Sequence, residues 1–252
     1  MFIEVENIRK SYGRKTIVLN GASFHAASGE YIAIVGANGC GKSTLLEILA
    51  GSLKADGGSL KIDGTDAFAD VKMFQKYIGF VPQENPLMEK LSARDNLKFW
   101  YWDTGRNIDA DLQGGVPAVL GVSEYLDKRV DKLSGGMKKR LSICCALAKN
   151  PPVLILDEPG ASLDIVCKQD IMNYLSAYTK SGGTVIITSH EEGELKLADR
   201  MYLLKNGKLN ELDHPVIGYD SDGSACYCNK YMHRHCNGTG QRHEDEGCCC
   251  VS

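Results

Sequence analysis

The chain opens with short stretches of alternating or continuous apolar character: FIEVENI (2–8), TIVL (16–19), ASFHAAS (22–28) and YIAIV (31–35), separated by Gly, Ser and Lys/Arg turns. Such alternation predicts strands, so the N-terminal portion is β-rich. At Gly36 the pattern changes. A glycine-dense loop leads into LLEILAG (45–51), whose apolar positions recur at helical spacing and whose Gly51 stands where a helix stops. GSLKIDG (58–64) and YIGFVP (77–82) read as further strands, and from 86 to 150 the pattern turns helical. There Ser92, with Asp95 three residues on, resembles a capping box ahead of NLKFWYW.

VLILDEP (153–159) and TVIITSH (184–190) are continuous apolar runs, the form of strands buried on both faces. Helical stretches over 164–180 and 191–198 alternate with them, which predicts β-α-β units and a mainly parallel sheet. MYLL (201–204), the Asn206-Gly207 turn and KLNEL (208–212) suggest a closing hairpin. After residue 213 only Val216, Ile217 and Val251 are Leu, Ile, Val or Phe, too few for an apolar core. The expected organisation is a folded unit over 1–213, its helical part at about 86–150, followed by a flexible Cys/His-rich segment, 214–252.

Composition narrows the function little. With 252 residues, 43% apolar and 24% charged, the chain has the make-up of a globular protein of one or two domains. A net charge of -3 announces no nucleic-acid partner, so any anion must be held locally. No apolar run approaches the ~20 residues of a membrane-spanning helix. The start, MFIEVENIRK, lacks the apolar segment of a secretory signal, which makes the cytoplasm the expected compartment.

The chemistry begins at Gly36-Ala37-Asn38-Gly39-Cys40-Gly41-Lys42-Ser43, which fits GxxxxGK[ST] between a predicted strand and a predicted helix. Glycines let backbone N–H groups close on phosphate oxygens, and the helix N-terminus favours negative charge. Lys42 would bridge the outer phosphates, and the Ser43 hydroxyl would hold a magnesium ion. Asp157 and Glu158 end an apolar strand, placing two carboxylates where open α/β sheets collect ligands. The first would hold the metal and the second would orient or deprotonate a water.

Leu133-Ser134-Gly135-Gly136-Met137, opening a helix some twenty residues before VLILDE, resembles the signature motif of ABC ATPases. The other matches fall in that family's order over residues 2 to about 212: Tyr12, the phosphate loop, Gln83, Asp157 and Glu158, Ala161 to Asp164, and His190. The resemblance implies a P-loop NTPase of α/β class, with an N-terminal antiparallel β subdomain and a helical signature subdomain. It also implies two cassettes packed head to tail, Ser134, Gly135 and Gly136 of each closing on ATP held by the other. Tyr12 would stack on adenine, with Gly36, Asn38, Gly39, Cys40, Gly41, Lys42, Ser43 and Thr44 around the phosphates. Gln83 would sit at the magnesium with Ser43 and Asp157, and Glu158, His190 and Lys42 would be the catalytic groups.

EKLSARDNLKFWYW is similar to the matching stretch of export-type subunits, which implies an integral membrane partner and a peripheral place on the inner face of the membrane. A non-transport ABC ATPase on a cytoplasmic scaffold, and a nucleotide-gated module without turnover, are the alternatives. Met137 departs from the family's usual Gln, and GASLD from its commoner loop variants.

Cys226, Cys228, His233, His235, Cys236, His243 and Cys248 to Cys250 offer soft metal ligands, but their spacing lacks paired CxxC units and points to adventitious binding. The closing Cys-Cys-Val-Ser formally matches a prenylation box, at odds with the bacterial look of the rest.

Overall fold

Residues 1–13 and 16–212, and the backbone of 215–219 and 225–229, are described by a computed structural model. Strand β1 (Phe2–Tyr12) pairs antiparallel with β2 (Thr16–Ala27), and β3 (Tyr31–Val35) follows. TIVL and ASFHAAS are thus parts of one strand rather than two. Gly21, readable as a turn, adopts φ 97° within β2, whose pairing with β1 shifts register three times. An isolated strand glycine marks such irregularities as readily as it marks a turn.

Helix α1 (Lys42–Leu49) leads to β4 (Gly57–Ile62) and β5 (Thr65–Asp66), which complete an antiparallel sheet of order β2-β1-β4-β5. Helix α2 (Val71–Tyr77) ends where β6 (Ile78–Val81) begins. The sequence pattern did not mark α2, a seven-residue helix capped by Asp70 that buries little beyond Phe74. Next come α3 (Ala93–Tyr101), α4 (Ile108–Gly114), α5 (Val116–Val119) and α6 (Gly135–Ala146). The expected cap is present at α3: Ser92 Oγ accepts from the Asp95 amide at 3.1 Å and donates to the Asp95 carboxylate at 2.5 Å.

Strand β7 (Val153–Asp157), helix α7 (Ile165–Lys180), strand β8 (Thr184–Thr188), the short α8 (Glu192–Leu195) and the hairpin β9 (Arg200–Lys205) and β10 (Lys208–Glu211) complete this unit. The main sheet runs β10-β9-β3-β8-β7-β6, parallel apart from β10. Strands β3, β7 and β8 are buried along their whole length, as their unbroken apolar runs require.

Alternation assigns the two faces. Ile32, Ile34, Val153, Ile155 and Ile186 join α1 and the antiparallel sheet in one core. Tyr31, Ala33, Val35, Leu154, Leu156, Val185 and Ile187 join the helices in the other. The sheet is therefore a shared wall, and its carboxyl edge lies between the two cores.

Pro215–Tyr219 (β11) and Ala225–Asn229 (β12) pair antiparallel where the sequence reading assigned no element. The rest of the Cys/His-rich segment, with its metal and prenylation readings, lies outside the described residues. Among the described residues no helix is long and apolar enough to cross a membrane.

A Cβ on Gly36, at the end of β3, would stand 2.6 Å from the Leu204 carbonyl oxygen, with φ at 153°. Because that obstacle is backbone, Gly36→Ala is expected to cost about 2 kcal/mol or more in urea unfolding. An unchanged midpoint would mean that the loop relaxes at no cost.

Candidate functional site

The loop between β3 and α1 is wound around one ammonium group. Lys42 Nζ donates to the Gly36 and Ala37 carbonyls at 2.8 and 3.2 Å, and the lysine is buried. Gly41, at φ 108°, starts α1 with no side-chain cap. Helix amides left without a side-chain acceptor, beside a lysine, form an anion-binding end. Beneath the loop, the Cys40 sulfur occupies space that a Cβ on Gly36 would enter. Burial pushes the Cys40 thiol up, against the pull of Lys42 and of backbone N–H groups.

A cleft of about 570 Å³ opens above this loop, the size of a small-ligand site. Tyr12, Asn38, Gly39, Gly41, Lys42, Ser43 and Thr44 line it together with Gln83 and Glu158. Tyr12 stands at its mouth, 47% exposed, its hydroxyl 3.4 Å from Thr44 Oγ1.

The carboxylates are fixed by strand register. Asp157 on β7 pairs with Thr188 on β8, whose hydroxyl donates to Asp157 Oδ1. The Glu158 amide donates to both the Thr188 carbonyl and its hydroxyl oxygen, each at 3.1 Å. Glu158 also adopts φ 45°, a left-handed conformation unusual for a side chain of its size. That turn separates the two acids: Asp157 is buried at the strand end, while Glu158 reaches the cleft. There Gln83 Nε2 donates to Glu158 Oε2 at 3.2 Å, and His190 Nε2 lies 3.5 Å from Oε1. Burial holds His190 below the ordinary imidazole range, the nearby Lys42 lowers it further, and Glu158 and Glu191 oppose both.

The signature residues lie elsewhere. Ser134, Gly135 and Gly136 form the start of α6 and do not line the cleft. The Ser134 hydroxyl accepts from the Met137 amide at 3.3 Å, capping its own helix. Gly136 packs so closely on Cys167 that a Cβ would lie 2.7 Å from the sulfur. Asp164 caps α7, accepting from the Cys167 amide at 2.8 Å.

Four residues that sequence reasoning passed over belong to this site or its support: Val18, Lys139, Thr188 and Glu194. Val18 on β2 lines the cleft, and a Cβ on Gly41 would meet its Cγ1 at 2.6 Å. Thr188 carried a faint signal, a polar residue closing an apolar strand. Lys139 and Glu194 are both buried. Nothing in a KK pair or in the acidic run EEGE separates the buried member from its solvated neighbours.

An uncapped helix end following a glycine loop, with strand-end carboxylates across a cleft, defines a nucleotide-binding protein of the P-loop class. Residues 19–161 match the family described as ABC transporter, and the chain belongs to that family. A sulfate/thiosulfate import ATP-binding protein of Chromobacterium violaceum is 34% identical over 233 residues, which cover 89% of this chain and 64% of that protein. The Nod factor export ATP-binding protein I of Paraburkholderia xenovorans is 36% identical over 211 residues, 82% of this chain and 68% of its own. The fold is that of the ATP-binding cassette MJ0796 in a dimeric post-hydrolysis state bound to ADP and Pi: TM-score 0.73 at 26% identity, covering 83% of this chain and 97% of that one.

Glu194 gives the site a testable electrostatic signature. Burial is the main cause that raises its carboxyl from 4.5 to about 7, with Glu191 adding to the rise while the Ser189 hydroxyl bond and Lys168 oppose it. Between those two values the folded chain holds a proton that the unfolded chain has released, so this group's contribution to stability falls as pH rises through that window. Glu194→Gln is therefore expected to gain stability relative to the parent on going from pH 5 to pH 8, as read by urea unfolding. An equal difference at both pH values would show that Glu194 titrates as an ordinary carboxylate.

Proposed function

We propose that the chain is the ATP-hydrolysing subunit of a membrane transporter, working as a head-to-tail pair of cassettes spanning residues 1–213, with 214–252 as an appendage. The observation that carries this reading is the separation of two anion-binding ends within one chain. The Lys42 loop and the Ser134 helix start both offer backbone amides, yet only the first lines the cleft. A second copy supplies the missing half, and ATP between them becomes a ligand that favours the closed pair over the open one.

Within each site, Lys42 and the amides that follow it would hold the phosphates, and Tyr12 and Val18 would flank the base. The exposed Ser43 hydroxyl and the buried Asp157 carboxylate form a hard oxygen donor set that suits magnesium. When bound, magnesium neutralises charge on the phosphate oxygens. Glu158, reaching the cleft on its strained backbone, orients the attacking water and accepts its proton. Gln83 holds one Glu158 oxygen by a hydrogen bond, and His190 stands beside the other. His190, held below its ordinary range, is neutral at pH 7 and offers a single N–H.

Two exposed aromatics on and just after α3, Phe99 at 64% and Trp102 at 90% exposure, supply apolar contact for an integral membrane partner. The similarity of residues 89–102 to export-type subunits favours export, while the relatives named above include one for import and one for export.

Glu158→Gln is expected to lower ATP turnover by roughly 10²- to 10⁴-fold while nucleotide affinity stays near the parental value. Turnover at the parental rate in this variant would remove Glu158 from the mechanism, and a parent that binds ATP without phosphate release would favour a nucleotide-gated binding module.

A further inference from the structure

Lys139 lies on α6, just over one helical turn beyond Ser134, and is 4% exposed. A buried ammonium is costly unless its N–H groups are taken up. Here Nζ donates to the main-chain carbonyls of Pro82 and Gln83, each at 3.1 Å. Those carbonyls lie just past the end of β6, an edge strand of the main sheet. Gln83 then reaches forward through Nε2 to Glu158 Oε2.

We infer that Lys139 is a positioning residue for ATP hydrolysis, clamping the Gln83 backbone so that the Gln83 side chain holds the Glu158 carboxylate. The inference rests on the hydrolytic reading above and extends it.

Gln83 is exposed, so packing alone does not fix its backbone. Two hydrogen bonds from one buried cation to successive carbonyls restrict that backbone at the residue whose side chain touches the catalytic carboxylate. Charged donors make the stronger hydrogen bonds. Burial lowers the Lys139 ammonium below the ordinary lysine range, against the pull of Asp157 and Glu194. The anchor sits on the helix that Ser134 begins, so a displacement of that helix by a nucleotide at its N-terminus reaches Gln83 through two bonds. The neighbouring Lys138 has a different task, pairing with Glu89 at 3.2 Å near the surface.

The test compares the parent, Lys139→Met, Gln83→Ala and the double variant for ATP turnover, for ATP affinity, and for hydrogen exchange over residues 78–90. Lys139→Met is expected to lower kcat roughly 10- to 100-fold, the range typical of residues that orient groups at a catalytic site, with ATP affinity within about twofold of the parent. It is also expected to speed exchange in that segment. Because Lys139 acts through Gln83, the double variant should turn over no more slowly than Gln83→Ala alone. Parental kcat in Lys139→Met, or multiplied losses in the double variant, would overturn the inference. Should Lys139→Met fail to bind ATP, Lys139→Gln, which is one bond shorter but keeps a neutral N–H donor, is expected to fall between parent and Gln83→Ala. A Lys139→Gln rate below Gln83→Ala would overturn the inference instead. A parent without turnover would sink the hydrolytic reading but not the clamp, which then stands or falls on the exchange rates alone.

Discussion

The site depends on one register, the pairing of Asp157 on β7 with Thr188 on β8. Because those strands are parallel and buried on both faces, their shared carboxyl edge is a fixed ledge between two cores. Thr188 uses that ledge twice, donating to the Asp157 carboxylate and accepting from the Glu158 amide. The Glu158 backbone then turns into its left-handed conformation, and two adjacent acids acquire different surroundings. A slip of one residue would exchange which side chains meet which core and would move both carboxylates off the edge.

Around the ledge the groups form a connected set. Gln83 and His190 approach the two Glu158 oxygens from different segments, one following β6 and the other following β8. Lys139 brings in the signature helix. Lys168 of α7 pairs with Glu191 beside His190 at 2.8 Å, tying the helix after Asp164 to the same neighbourhood. Each contact around Glu158 is therefore made between elements distant in sequence.

That arrangement explains what the sequence disclosed and what it withheld. The loop at Gly36 to Ser43 was legible because its pattern is local: eight consecutive residues wind around one lysine at the start of a helix. The buried strands were legible because burial on both faces leaves an unbroken apolar run. The signature and the lone His190 gained meaning only from their order along the chain. Lys139, Thr188 and Glu194 were not legible, because each is defined by a partner that folding brings to it. Lys139 meets Pro82 from 57 positions away, and Thr188 meets Asp157 from 31. Helix α2 escaped notice because it buries too little to impose a period, and β2 was divided because its glycine marks a bulge.

The central claim is that the cleft is half of a site, completed by the Ser134 helix start of a second cassette. Sedimentation of the Glu158→Gln variant, saturated with magnesium and ATP, tests it most directly. The account predicts a dimer that forms with ATP, is absent with ADP, and is lost when Ser134 is also replaced by a bulky residue. A sedimentation coefficient that stays monomeric under saturating nucleotide would contradict it.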